Sequence, residues 1–238
     1  MTVRRTLERP ANSRARTLGP RRAADHLIAC YARLARDERH LLASLLDGKP
    51  PVQWQHYPAD DAIDATRRYQ WFYHSHDPED RPGATEHGHF HLFVRPEGSI
   101  DEPAESQFLR RLRCRRRRAN TRHLLAIGMN AVGLPISMFT VNRWVTGDLP
   151  LSANATIALL QTLRLSTGHA AIDTVLESVI ALHRREIRAL IERRDDAWFA
   201  RAARGPGALE DRALEVPSFL SLDLDRRISE IRAPRATA

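Results

Sequence analysis

Five histidines alternate with other residues in two short stretches of the chain: His74, His76, His87, His89 and His91. The first two lie in RYQWFYHSH, residues 68–76, and the other three lie in EHGHFHLFVR, residues 86–95. Because successive side chains of a β-strand point to opposite faces, each stretch, read as a strand, carries its histidines on one face. Imidazole nitrogens bind transition metals and also act as acids, bases and nucleophiles. The spacing therefore predicts a histidine-lined site on a β-sheet.

The segment between the two stretches favours a reversal of the chain. It reads DPEDRPGAT, residues 77–85, and its proline, glycine and aspartate content is typical of turns. An antiparallel pair of strands would bring the histidines together in one patch. In a regular strand Glu86 points to the face opposite His87, which makes it a poorer candidate ligand than the histidines.

A divalent metal ion is the first function that this patch predicts. Side chains two residues apart in a strand start about 6.6 Å apart and can converge on one ion, whereas His87 and His91 start about 13 Å apart. A single ion would therefore take two of His87, His89 and His91, together with His74, His76 or an acid such as Glu86 or Asp77. Zinc, iron and manganese all accept such ligands, and nothing in the sequence chooses among them. The sequence therefore predicts that the protein binds a metal ion, and further that it is a metal-dependent enzyme.

A second interpretation comes from the order of residues in HGHFHLF, residues 87–93. This run resembles the histidine-triad signature of nucleotide hydrolases and transferases. The resemblance implies that the middle histidine, His89, is a catalytic nucleophile that attacks a nucleotide α-phosphate. Gly88 departs from the signature, which has a larger apolar residue there. A third interpretation is a non-enzymatic interaction module, in which neutral histidines pack against the neighbouring aromatic residues.

Four motifs together resemble a bacterial family of unknown function. They are HYP at residues 56–58, YHSH at 73–76, EHGHFHLF at 86–93 and FTVNRWVTG at 139–147. The resemblance spans most of residues 54–148 and implies an intact family module. It implies no activity, cofactor or site.

The formal net charge of +8 is concentrated in two places. Residues 1–22 hold seven arginines and one glutamate, and residues 110–118 hold seven more arginines. The second run has no aromatic residues for base stacking and no helix-turn-helix or zinc-finger pattern, so we expect no specific nucleic-acid binding. Any contact with nucleic acid should weaken steeply with salt. Arg143, at the end of a predicted strand, is a candidate contact for a small anionic ligand.

The remaining pattern predicts an α+β fold, in which an antiparallel sheet of about four strands is covered by N-terminal and C-terminal helices. Residues 1–19 are expected to be a disordered basic tail, and residues 20–232 a single domain with a sheet region at 67–145 and a helical region at 152–232. The two further strands are residues 123–129 and 135–142. Helices are predicted at residues 20–47, 107–118, 153–165, 170–203 and 219–231, and residues 52–66 are expected to be irregular.

The composition also bears on the environment of the protein. Cys30 and Cys114 are the two cysteines, which excludes a disulfide framework. The basic N-terminus is not followed by an apolar segment, so no secretory signal is predicted. The most apolar stretch, residues 124–141, is interrupted by asparagine, glycine and proline, which argues against a membrane span. We therefore expect a cytoplasmic protein without membrane contact.

Overall fold

In the parts of the chain that the structure describes, six antiparallel strands form one sheet, in which every strand pairs with its neighbours in sequence. The computed structural model describes residues 17–76, 86–96, 103–114 and 119–234. The strands are β1 (Tyr57–Ile63), β2 (Tyr69–His74), β3 (Gly88–Val94), β4 (Arg122–Met129), β5 (Pro135–Thr140) and β6 (Ser218–Ser221). The predicted α+β class is confirmed, and the four predicted strands are adjacent as β2 to β5. The sheet has six strands rather than about four.

The two additional strands lie at the edges of the sheet. β1 lies in the segment predicted to be irregular. Its sequence, YPADDAI, is polar, and a bulge interrupts its pairing with β2, so the strand lacks a regular alternating pattern. β6 has four residues and occupies the beginning of the predicted final helix. Short or polar edge strands carry little of the alternating pattern by which a strand is recognised.

Eight α-helices are present in the described parts of the chain. They are α1 (Pro20–Arg36), α2 (Ala43–Leu46), α3 (Pro103–Arg111), α4 (Arg143–Thr146), α5 (Ala153–Gln161), α6 (Ala170–Leu182), α7 (Arg184–Ala203) and α8 (Leu224–Arg232). The predicted long helix at residues 170–203 is divided at His183, and the first predicted helix is divided between α1 and α2. None of these helices is long and apolar enough to cross a lipid bilayer. Residues 1–16 of the predicted tail (residues 1–19) and the arginines at 115–118 lie outside the described residues.

The main hydrophobic core fixes which face of the sheet carries the histidines. On β2 and β3, Trp71, Tyr73, Phe90 and Leu92 are buried in one cluster with residues of α1 and α6. Because side chains alternate along a strand, the residues between them point to the other face. Those residues are Phe72, His74, His89, His91 and Phe93.

Candidate metal centre

Strand pairing brings the two histidine stretches together. β2 and β3 are antiparallel, with His74 opposite His89 and Phe72 opposite His91. The Nε2 atom of His89 lies 2.7 Å from Nε2 of His74 and 3.0 Å from Nε2 of His91. The predicted closeness of the two stretches is thus confirmed. His89 is the central member of the group.

His76 follows the end of β2 and reaches the same group. Its ring centroid lies 4.8 Å from that of His74 and 5.1 Å from that of His89. One ligand nitrogen from each of His74, His76 and His89 lies within 4.8 Å of the other two. This spacing allows one metal ion to contact all three rings. We call His74, His76, His89 and His91 the histidine cluster.

His87, the fifth predicted histidine, lies apart from the histidine cluster. Because β3 begins at Gly88, His87 precedes the paired strand, and its Nδ1 atom lies 2.7 Å from the hydroxyl of Tyr73 in the main core. Burial lowers the pKa of His87. A Cβ atom at Gly88 would overlap the Tyr73 hydroxyl and the carbonyl oxygen of His74. This close approach explains why glycine stands at a position where the histidine-triad signature has a larger residue.

Glu86 lies on the histidine side, and the expectation that it would point away was wrong. Its Oε1 atom is 2.6 Å from Nδ1 of His89, and the hydroxyl of Ser137 donates to its Oε2 atom at 3.2 Å. The alternation rule fails here because Glu86 precedes the paired part of the strand. A carboxylate beside Nδ1 places the ring proton on that nitrogen, so the Nε2 lone pair of His89 faces the histidine cluster.

A glycine in β4 makes room for this carboxylate. Gly128 lies opposite His89 on one side and Ser137 on the other. A Cβ atom at Gly128 would overlap Oε2 of Glu86 and Oγ of Ser137. A glycine inside a strand is a sequence signal for such a close approach, although it does not reveal which group approaches.

His123 of β4 extends the histidine cluster, and the sequence pattern assigned it no role. Its Nε2 atom is 2.9 Å from Nδ1 of His91. The pKa of His91 lies well below its ordinary value because of burial and the neighbouring imidazoles. Burial, with the positive charge of Arg194 and the nearby His89, lowers the pKa of His123 to about 3. Both rings are therefore neutral at pH 7, with one donor and one acceptor nitrogen each.

Aromatic side chains border the outer end of the histidine cluster. Trp54 is 60% exposed, and its ring meets that of His76 edge-on at a centroid distance of 4.6 Å. His56 stacks on Phe72 at 3.6 Å, and its Nδ1 atom is 2.9 Å from Oδ1 of Asp61. His89 and His91 are buried, whereas His76 is partly exposed. Access from solvent is therefore at the end marked by His76 and Trp54.

A family described as a domain of unknown function, DUF6969, matches residues 21–222 of the chain. The chain belongs to the DUF6969 family. The predicted resemblance to a family of unknown function is thereby confirmed, and the matched region includes the whole histidine cluster with Glu86 and His123. No curated protein and no solved structure matches the chain.

Arg143, the candidate anion contact in this DUF6969 chain, begins α4. Its guanidinium donates from Nε to the Glu210 carboxylate at 2.7 Å. The side chain also lines a small cavity together with His123. Contact between Arg143 and a small anionic ligand stays a prediction, and such a ligand would compete with Glu210.

The lowered pKa values predict how the stability of metal-free protein depends on pH. His123 titrates near pH 3 in the native state and near 6.5 when unfolded, and the native pKa of His91 is also well below 6.5. Between these values the unfolded chain binds more protons, so the free energy of unfolding falls as the pH falls. Each histidine contributes a slope of about 1.4 kcal/mol per pH unit.

Denaturant titrations of metal-free protein at pH 7 and pH 5 measure this effect. We expect the free energy of unfolding to fall less between pH 7 and pH 5 in a His123→Asn variant than in the native sequence. Equal free energies of unfolding at the two pH values in the native sequence would contradict the prediction.

Proposed function

We propose that the DUF6969 chain binds one divalent transition-metal ion through the histidine cluster. His74, His76 and His89 are the proposed ligands, and His91 stands beside them as a fourth candidate. The observation that carries this proposal is that one ring nitrogen from each of the three histidines lies within 4.8 Å of the other two. Two of the three rings come from opposed positions of β2 and β3, so the sheet itself sets their separation.

The distances between ring nitrogens suit a shared ion. Metal–nitrogen bonds of about 2.0–2.1 Å, at angles of about 90–110°, place two ligand nitrogens about 2.9–3.4 Å apart. The two Nε2 separations at His89 are 2.7 and 3.0 Å. To admit the ion, the rings of His74 and His89 would shift outward by a few tenths of an ångström, whereas His76, whose ligand nitrogen is within 4.8 Å of theirs, would move closer to them.

A hydrogen bond on the outer side of the His89 ring supports the same proposal. Histidines that ligate a metal almost always donate their other ring N–H to a carboxylate, a carbonyl group or water. Glu86 provides such a partner for Nδ1 of His89. This contact leaves Nε2 of His89 for the metal.

The donor set bears on which metal binds and what it does. Neutral imidazoles favour zinc or iron, whereas manganese favours oxygen ligands. Three protein ligands leave a coordination position for water or substrate, which is typical of catalytic rather than structural sites. The chemistry available from such an ion is Lewis-acid activation of water or of a substrate oxygen. We therefore propose a metal-dependent enzyme, with its substrate entering past Trp54 and His76.

The surroundings of His89 favour metal binding over the histidine-triad interpretation. Its side chain is 2% exposed, and each of its ring nitrogens lies within 3.0 Å of another side chain. A nucleophile must reach the phosphorus of its substrate with a free lone pair. In this arrangement the Nε2 lone pair of His89 is directed at two other imidazoles.

Metal loading of protein purified without a histidine tag tests the proposal. We expect elemental analysis to find about one ion per chain after exposure to zinc or iron(II). Calorimetric titration should show tighter binding of these two than of manganese, because the ligands are nitrogens.

Two outcomes would contradict the metal proposal. Protein that stays metal-free and forms an acid-labile, base-stable phosphohistidine at His89 with a nucleotide phosphoramidate would support the histidine-triad interpretation. Protein that neither binds metal nor forms this adduct would support the interaction module.

A further inference from the structure

A cavity of about 290 Å³ lies between α1 and α6, on the face of the sheet opposite the histidine cluster. Its lining comes from residues around the beginning of α1, from the loop before α6 and from the first half of α6. Among the lining residues His26 and Gly168 are exposed, so solvent reaches the cavity. The volume equals that of about ten water molecules in the liquid, which is enough for a small organic ligand.

Helix α6 contributes two acids to this cavity. Asp173 and Glu177 are four residues apart, so they lie on the same side of the helix, and Ser178 lies beside Glu177. The carboxylate of Asp173 accepts from Nε1 of Trp71 at 3.0 Å and from the backbone N–H and hydroxyl of Thr167, each at 2.8 Å. Asp173 thus contributes negative charge, while its acceptor positions are largely used within the protein. No arginine or lysine is among the described residues that line the cavity.

The hydroxyl of Ser178 is a buried polar group that has no hydrogen-bond partner among the described residues. Ser178 is 0% exposed and lines the cavity. A buried hydroxyl without a hydrogen bond is costly, and such groups in native proteins nearly always have a partner. Since a hydroxyl can both donate and accept, a group inside the cavity can supply that partner.

The carboxylate of Glu177 also retains capacity for a further partner. Its Oε1 atom accepts from the backbone N–H of Leu165 at 2.6 Å, whereas Nη1 of Arg164 is 3.6 Å from Oε2, too far for a hydrogen bond. Burial raises the pKa of Glu177, although the Leu165 N–H and Arg164 act in the opposite direction. A second cation next to this carboxylate would therefore stabilise its ionised form.

Two leucines give the cavity an apolar surface. Leu18 and Leu165 line the cavity and are partly buried against the main hydrophobic core. Leucine side chains accommodate a short alkyl chain, because removing methylene groups from water is favourable. The lining thus combines negative charge, an unpaired hydroxyl and apolar surface.

We propose that this cavity binds a small alkylguanidinium ion. Its guanidinium group donates to the carboxylate of Glu177 and to the hydroxyl of Ser178, and its alkyl chain packs on Leu18 and Leu165. A guanidinium group suits a partly buried acid better than an ammonium group, because it is more weakly hydrated and has several donors in one plane. The negative charge of the two carboxylates excludes an anion. The site lies apart from the histidine cluster, so the proposal does not depend on metal binding.

Titration of the full chain with n-butylguanidinium and with n-butylurea tests the proposal. The two probes have nearly the same shape, but n-butylurea is neutral. In ¹H–¹⁵N correlation spectra, n-butylguanidinium should shift the amide signals of residues 165–178, including that of Leu165, whose N–H donates to Glu177. We expect it to bind at least about 10-fold more tightly than n-butylurea, because a hydrogen bond to a charged group is stronger than one between neutral groups.

Two variants test the polar contacts. Glu177→Gln removes the charge and keeps an acceptor for Leu165, and it should weaken binding of n-butylguanidinium about 10–100-fold. Ser178→Ala should weaken binding about 2–10-fold, because it removes one hydrogen bond to a neutral group. Glu192→Gln is the matched control, since Glu192 is a half-exposed helical glutamate 3.5 Å from Arg188 and does not line the cavity. This control variant should bind n-butylguanidinium as tightly as the native sequence.

Ligand-free protein supplies an independent measurement. Ser178→Ala should leave Tm unchanged or raise it, because it removes a buried hydroxyl that has no partner. A lower Tm in this variant would show that the hydroxyl is already paired, and would overturn the proposal. Equal affinity for the two probes, shifts confined to residues outside the cavity, or no binding of n-butylguanidinium at millimolar concentration would overturn it as well. The comparison of the two probes uses the native sequence, so it holds even if a variant fails to fold.

Discussion

His89→Ala should abolish metal binding, with the metal content falling from about one ion per chain to nearly none. His89 is the ring closest to its neighbours, and Glu86 holds it in place, so its loss removes the central ligand. At a free metal concentration of 100 times Kd, a bound ion stabilises the fold by about 2.7 kcal/mol. For a chain of this size that corresponds to a rise in Tm of about 5–10 °C on metal addition. The variant should lose this rise, and so should His89→Gln.

His56→Ala is the matched control for this measurement. His56 lies next to the histidine cluster and stacks on Phe72, but its side chain is 41% exposed and its Nδ1 atom is directed at Asp61. We expect this variant to keep one ion per chain and the metal-induced rise in Tm. A His89→Ala variant that retains its metal, or a His56→Ala variant that loses it, would contradict the proposed ligand set.

The part of the site that sequence could predict is the part that follows strand periodicity. Histidines alternate with Trp71, Tyr73, Phe90 and Leu92, whose burial in the main core turns the intervening residues to the other face. A period of two is a local property, so residues 74, 89 and 91 were correctly placed on one side. The same rule failed at Glu86 and His87 because alternation holds only within the paired strand.

The rest of the site depends on contacts between residues far apart in sequence. Ser137 and Glu86 are 51 residues apart, and His91 and His123 are 32 apart. No local pattern marks such partners, because pairing and register of the neighbouring strands decide them. His123 lies within a correctly predicted strand, but its contact with His91 follows from a bulge in the β3–β4 pairing between Leu92 and Phe93.

The elements of the fold that the sequence did not predict also depend on contacts between residues far apart in the chain. The four central strands are apolar and were recognised, whereas β1 and β6 are edge strands with few apolar residues. Their assignment requires knowledge of the strand beside them. The break between α6 and α7 at His183 occurs without proline or glycine. There the ring Nδ1 and the backbone N–H of His183 both lie within hydrogen-bonding distance of the Val179 carbonyl oxygen.

Gly128→Ala should weaken metal binding although residue 128 is not a proposed ligand. Its new Cβ would overlap the carboxylate of Glu86 and the hydroxyl of Ser137, so Glu86 must move away from His89. Loss of a hydrogen-bond partner behind a metal ligand lowers metal affinity about 10–100-fold. The overpacking also costs about 1–3 kcal/mol of stability. Without this steric conflict, replacing a strand glycine by alanine would leave the free energy of unfolding unchanged or raise it. A decrease in the free energy of unfolding would therefore indicate the steric conflict.

A double-mutant cycle with Glu86→Gln shows whether the effect passes through the carboxylate. Both single variants should raise Kd by similar factors, and the double variant should be little worse than either, because each removes the same hydrogen bond to His89. Gly19→Ala, whose Cβ would meet no atom within 4 Å, is the control for a glycine-to-alanine change elsewhere in the chain. If the two factors multiply in the double variant, Gly128 does not act through Glu86. If Gly128→Ala binds metal as tightly as the native sequence, the carboxylate does not orient His89.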